Sequence, residues 1–327
     1  MEKKRILSGN RPSGRLHLGN YAGALQNWAA LQDEYECFFM VADWHALTSE
    51  YGDTSELKAL TKEMVIDWIS VGLDPERSTL FVQSHVTQHA ELALLLGMIT
   101  PLPWLERCPT YKQQIKELSN KDLGNFGFLG YPLLQAADIL IYEANCVPIG
   151  EDQLPHLEMT REIARRFNNF YGEVFPEPQA LLSDIPMLVG IDGRKMSKSY
   201  GNCIYLSDEE KTVNHKVMQM ITDPARVTRK DKGHPEVCSV CQYQKVFNPE
   251  IYEKLWDQCK SAEIGCVDCK KMLAEKINTL MTPFRDKRRE IESKPDYVDE
   301  VLNAGDAHAR EIAEATMQRV RDAVKLY

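Results

Sequence analysis

No apolar run in this 327-residue chain approaches the ~18 residues needed to cross a bilayer, so no membrane-spanning helix is expected. The opening segment Met1 to Asn10 starts basic but passes directly into polar Ser8 to Gly14, without the apolar stretch of a secretory leader, which predicts a cytoplasmic protein. Also missing is a P-loop. No Gly-Lys-Ser or Gly-Lys-Thr closes a glycine-rich run, which argues against phosphoryl-transfer ATPases of that kind. Basic excess is lacking too: 39 Lys and Arg stand against 48 Asp and Glu, a formal charge of −9, so indiscriminate nucleic-acid binding is disfavoured. Neither internal repeats nor low-complexity tracts occur. What remains is an ordinary globular composition in a chain longer than the ~250–300 residues at which single cores stop growing, and two domains are expected.

Apolar strand-like runs alternate with amphipathic helical ones through the first two hundred residues. Strands are expected at Arg5 to Ser8, Cys37 to Asp43, Ser78 to Ser84, Cys146 to Gly150 and Met187 to Gly190. That alternation predicts an α/β fold, a Rossmann-like doubly wound parallel sheet whose ligands bind at the carboxyl ends of the strands. The stretch His85 to Asn145 is too long for a simple crossover and reads as a helical insertion at about 85–145. From Ser207 onward the strand signals stop, and helices broken by Pro224, Gly233-His234-Pro235 and Pro283 are expected. The expected division is therefore a catalytic domain over 1–205 and an all-helical domain over 206–295. A helix pair over 296–327, hinged at Gly305, would pack back on the first domain.

Two short motifs carry the chemistry. His17-Leu18-Gly19-Asn20 opens a helix, offering free backbone N–H groups and a positive dipole end to a nucleotide, while Lys195-Met196-Ser197-Lys198-Ser199 supplies ammonium charges for a polyphosphate. Lys195 and Lys198 stand at i, i+3, and Gly190, Gly193 and Gly201 flank them and permit movement. A further strand-to-helix junction lies at Gly150-Glu151-Asp152-Gln153. Here the glycine admits a ribose and Asp152 accepts from its hydroxyls, unless the two acids serve only the helix dipole.

Taken with Ser8-Gly9-Asn10-Arg11-Pro12-Ser13-Gly14, these motifs resemble those of the class I tryptophanyl-tRNA synthetases of bacterial type, and the likeness runs along nearly the whole chain. HLGN corresponds to that family's HIGH motif, with Asn20 in place of its second His. The resemblance implies a cytoplasmic homodimer that makes tryptophanyl adenylate from tryptophan, ATP and Mg²⁺, then passes the amino acid to tRNA(Trp). His17, Lys195 and Lys198 would be catalytic. Arg11, Pro12, Ser13, Gly19, Asn20, Gly150, Glu151, Asp152, Met196, Ser197 and Ser199 would complete the nucleotide site. The helical insertion would serve dimer contacts and the amino-acid pocket.

Specificity is expected in Tyr131-Pro-Leu-Leu-Gln135-Ala-Ala-Asp138, where Gln135 and Asp138 share one helical face inside an apolar run. A carboxylate buried there needs a donor. The indole N–H is one, and Asp138 matches the family's indole-reading position; a surface Asp paired with Arg or Lys is the plainer alternative. Tyr131, His45 and Gln153 are assigned by the same resemblance to the tryptophan pocket.

Of nine cysteines, five fall between 238 and 269 as C-x2-C, x17, C-x6-C-x2-C, a density that asks for a metal rather than disulfides. Four-thiolate zinc on Cys238, Cys241, Cys266 and Cys269 fits, as does four-thiolate iron–sulfur. Some members of the resembled family carry a [4Fe-4S] cluster on one distant Cys followed by C-x6-C-x2-C, which implies Cys238, Cys259, Cys266 and Cys269 with Cys241 left over. The adjoining basic residues Lys270, Lys271, Lys276, Arg285, Lys287, Arg288 and Arg289 read either as an RNA-facing patch or as a solvated helix face.

Overall fold

The computed structural model describes residues 3–109, 111–112, 115, 123–182, 188–196 and 200–326. Five parallel strands form its sheet: β1 (Arg5–Asn10), β2 (Glu36–Val41), β3 (Ser78–Val82), β4 (Cys146–Ile149) and β5 (Gln179–Leu182), in the order β3-β2-β1-β4-β5. The aromatic and aliphatic residues of β2 and β3 are buried on both faces, which is why they read as continuous apolar runs. Ile6, Phe39 and Leu80 point to one face, Leu7, Phe38 and Phe81 to the other.

The first face is covered by a helical run α1, built of Leu18–Asn20, a π-turn Tyr21–Leu25 and Gln26–Leu31, and by α3 (Leu57–Ser70). Between β2 and α3 lies α2 (Asp43–Glu50). The second face is covered by α6 (Phe126–Ile141) and α7 (Leu154–Tyr171), with α4 (Gln88–Ile99) and α5 (Leu102–Glu106) beside them. After Asn202 come α8 (Glu210–Gln219), α9 (Ser239–Phe247), α10 (Tyr252–Lys260), α11 (Cys266–Glu292) and α12 (Tyr297–Val324).

Three expectations are corrected. The fifth strand is Gln179–Leu182 and not Met187 to Gly190: Met187 lies outside the described residues, and Val189 joins Lys195 only in an isolated antiparallel bridge around a turn. Pro283 does not break its helix, since α11 runs through it. Nor is there a hinge at Gly305, because α12 is one uninterrupted helix. The glycine serves a close approach instead. A Cβ there would stand 1.9 Å from the Leu80 carbonyl oxygen, so α12 lies directly on edge strand β3. Beside it Asp306 Oδ1 accepts from the Val82 N–H at 2.9 Å and covers part of that edge.

Candidate active site

Strand order reverses between β1 and β4, and at their carboxyl ends opens a cavity of about 370 Å³. Ser8, Gly9, Asn10 and Arg11 from β1, His45 from α2, Tyr131, Gln135 and Asp138 from α6, and Gly150, Gln153 and His156 after β4 line it. A Cβ on Gly9 would lie 2.4 Å from the Met40 carbonyl, so glycine is required where β1 presses on β2 beneath the cavity. Sequence reasoning had singled out Arg11, His45, Tyr131, Gln135, Asp138, Gly150 and Gln153, and the fold brings these together.

Asp138 is 1% exposed and already held by three donors. His45 Nε2 meets Oδ2 at 2.7 Å, while Gln83 Nε2 (2.7 Å) and His89 Nδ1 (2.6 Å) meet Oδ1. Burial alone would raise its pKa, but the two histidines outweigh that and hold it at about 2. The pairing with Arg or Lys is thereby excluded, and so is a carboxylate satisfied only by a guest. Two oxygens accept at about four positions, so one remains after these three. Behind His89, the Tyr142 hydroxyl lies 2.7 Å from Nε2. Sequence reasoning missed Gln83, His89 and Tyr142; the signal present was a glutamine and a histidine just beyond an otherwise apolar strand.

A second missed group adjoins it. Tyr131 Oη lies 2.8 Å and Cys108 Sγ 3.6 Å from His156 Nε2, and burial depresses the imidazole to about 4. Among the described residues Nδ1 of His156 is buried without a partner, and Nε2 meets the Tyr131 hydroxyl at the cavity wall.

The HLGN segment lies outside that cavity, at the N-terminus of α1. His17 Nδ1 accepts from the Asn20 N–H (3.2 Å) and Asn20 Oδ1 from the His17 N–H (3.0 Å), a reciprocal capping box. Position 20 therefore requires a side chain that can cap, which asparagine supplies. The KMSKS segment meets this helix start from the other side. Leu18 N–H donates to the Ile204 carbonyl and Leu206 N–H to the Leu16 carbonyl, and the Met196 sulfur lies 3.3 Å from where a Gly19 Cβ would stand. Lys195 is exposed; Ser197, Lys198 and Ser199 lie outside the described residues. Of the flanking glycines, Gly193 (φ +75°) and Gly201 (φ +64°) need the left-handed region, whereas Gly190 is demanded by Asn202, whose Nδ2 would lie 2.2 Å from a Cβ there. Pro12 is buried and Ser13 exposed beside β1; Glu151 and Asp152 are exposed on a single 3₁₀ turn, with Asp152 accepting from Gln153 Nε2 at 2.8 Å.

Of the expected basic patch, two members point inward. Arg285 is buried and donates to the Asp208 carbonyl and Asn278 Oδ1. Arg288 bridges Asp67 (2.8 Å), Glu63 (2.6 Å) and Glu292 (2.8 Å), tying α11 to α3. Only Arg289 of the three is exposed, paired with Asp286.

Cys238, Cys241, Cys259, Cys266 and Cys269 surround one small cavity of about 30 Å³. Cys238 caps α9 and Cys241 lies in its first turn; Cys266 and Cys269 open α11. Helix N-termini favour thiolates. Burial nevertheless lifts Cys241 to about 12 and Cys269 to about 11. Arg226 Nη1 lies 3.8 Å from Cys259 Sγ, and Gln244 Nε2 donates to Cys269 Sγ at 3.4 Å. Among the described residues no three His, Cys, Asp or Glu side chains stand close enough together to ligate a metal.

A parallel sheet in this order, with its polar cleft at the reversal and two nucleotide-type motifs tied beside it, defines a nucleotide-binding α/β enzyme. Residues 1–282 match the family described as tRNA synthetases class I (W and Y). The chain is 54% identical over 325 residues to the tryptophan–tRNA ligase of Thermotoga maritima, covering 98% of this chain and 99% of that one. It is 44% identical to that of Aquifex aeolicus, covering 98% and 100%. The tryptophanyl-tRNA synthetase of Campylobacter jejuni, solved with ADP and tryptophan, superposes with a TM-score of 0.87 at 34% identity over 98% of this chain and all of that one. The chain belongs to the class I tRNA synthetases and, within them, to the bacterial-type tryptophan–tRNA ligases.

Proposed function

We propose that the cleft divides tryptophan activation between a buried amino-acid half and an exposed nucleotide half. The observation that carries this is the joining of HLGN to the segment after KMSKS by backbone hydrogen bonds, beside a separate cavity that Asp138 lines. The amino-acid carboxylate attacks the α-phosphorus of ATP, the bond to the bridging oxygen breaks, and pyrophosphate leaves. Such displacement needs alignment and charge more than a protein nucleophile. Mg²⁺ would neutralise the polyphosphate. Lys195, with Lys198, offers ammonium charge to the leaving pyrophosphate. The Leu18 and Asn20 N–H groups are already taken within the fold, so His17 and the backbone at Gly19 are what α1 offers the phosphates, Gly19 letting them approach closely. Gly150 and Asp152 take the ribose. Asp138 accepts the indole N–H, while Tyr131, Gln135, His45 and Gln153 enclose the amino acid. Transfer to the 3′-terminal ribose of tRNA(Trp) follows. Tryptophan-dependent ATP–pyrophosphate exchange tests the reading: it predicts exchange with tryptophan and none with phenylalanine, and exchange indifferent to the amino acid overturns it.

A homodimer is the proposed assembly. Leu94, Met98, Leu102 and Phe126 on the insertion helices are 62, 72, 54 and 84% exposed, an apolar set suited to a second copy. Sedimentation of the pure protein at twice the chain mass is the expected result.

The cysteine cavity is proposed to hold a [4Fe-4S] cluster on Cys238, Cys259, Cys266 and Cys269, with Cys241 the fifth sulfur. Support comes from the donor set: five sulfurs around one cavity, two pairs of them at helix N-termini. That same pairing favours zinc on Cys238, Cys241, Cys266 and Cys269 as the second reading. When bound, the cluster would clip α9, α10 and α11 together, whereas zinc would join only α9 to α11. Iron, sulfide and zinc analysis of anaerobically purified protein separates them, about four irons per chain being expected for the cluster.

A further inference from the structure

Asp138 is buried, ionised and bound by three donors, and these donors differ in kind. His45 comes from α2 and contacts the cavity itself. His89 is 0% exposed on α4, touches the other carboxylate oxygen, and carries a partner of its own. An ionised carboxylate only accepts, so His89 must present its proton on Nδ1. Tyr142, which closes α6 and whose phenol burial holds well above its ordinary range, lies 2.7 Å from Nε2. The carboxylate thus fixes a proton on Nδ1, and the Tyr142 hydroxyl is the partner that holds the ring at its other nitrogen. Tyr142, His89 and Asp138 therefore form one buried hydrogen-bonded chain.

We propose that His89, held between Tyr142 and Asp138, is the positioning residue for specificity: it sets the Asp138 carboxylate so that its remaining acceptor position faces the indole N–H. Phe81 packs 6.1 Å and Tyr142 5.3 Å from the His89 ring centre, which holds the ring in plane with this task. Neither His89 nor Tyr142 lines the cavity. The proposal rests on the reading of Asp138 as the indole acceptor.

The test compares tryptophan with its benzothiophene analogue, which keeps the shape and lacks the N–H. The ratio of kcat/KM for the two, by pyrophosphate exchange, reports the hydrogen bond alone; a merely structural loss lowers both and leaves the ratio unchanged. His89→Leu is expected to reduce the wild-type preference at least ~10-fold, with KM for ATP little altered. His89→Gln, which keeps an N–H toward Oδ1, is expected to restore most of it. Tyr142→Phe is expected to cost a few-fold and carries the test if His89→Leu does not fold. Asp138→Ala separates the two levels. Should it leave the ratio unchanged, the indole reading fails; should it abolish the preference while His89→Leu or Tyr142→Phe does not, the positioning role of His89 is overturned.

Discussion

The amino-acid and nucleotide halves of the cleft are built on opposite terms. In the first, Asp138, His89 and His156 are 1, 0 and 2% exposed, and their partners arrive from α2, α4, α6 and the turn after β3. In the second, Lys195 is exposed, and Gly193 and Gly201 adopt left-handed conformations beside it. A buried network that every packed element helps to hold cannot adjust to a different side chain without leaving a charge unpaired. An exposed ammonium bracketed by glycines can follow a departing group. On the proposed reading, selection is built into rigid packing and charge stabilisation into the exposed Lys195 side chain.

This contrast breaks most sharply at Asp138. Asp138→Ala should lower kcat/KM for tryptophan by about 10³-fold or more, because two histidines and the indole lose their acceptor, while KM for ATP changes little. An equal loss in both constants would show that the halves are not separable. Lys195→Ala should do the converse, lowering kcat by about 10²-fold with the tryptophan dissociation constant unchanged, which equilibrium binding measures directly.

The pH profile of stability sharpens the same division. His156 is neutral in the folded protein down to about 4, against 6.5 when unfolded, so the unfolded chain binds the proton first. Its contribution is complete above pH ~6.5 and is withdrawn as the pH falls toward 4. His156→Gln should flatten the denaturation midpoint across that window, by up to about 2–3 kcal/mol. Lys195→Ala should leave the profile as it is. The smallest effect is expected at Gly190→Ala, where the new methyl group meets Asn202 and costs about 1–2 kcal/mol in chemical unfolding.

Four of the five strands stand where alternation in the sequence puts them, because their runs are apolar and bounded by polar turns. β5 escaped notice because Gln179 and Leu182, its ends, are exposed and its four residues are too few to show a period. Asp138 was legible as a charge inside an apolar helix. Its partners were not: His89 and His45 stand 49 and 93 residues away in sequence, and no local pattern joins them. Helical spacing alone likewise placed Arg285 and Arg288 on one face correctly but could not say which way that face turned. Burial against Glu63 and Asp67, more than two hundred residues distant, decided it. Asp67 shows what that costs: burial raises it to about 6 even beside Arg288.

The seat of α12 on β3 has a consequence for how the protein is made. Val82 N–H waits for Asp306 and the Leu80 carbonyl lies under Gly305, so an edge strand gains its cover from a helix made more than two hundred residues after it. Until that helix is made, the edge is open to pairing with another nascent chain. Covering that strand is thus left to a helix made some two hundred residues after it, so the sheet's edge is closed only by a long-range contact.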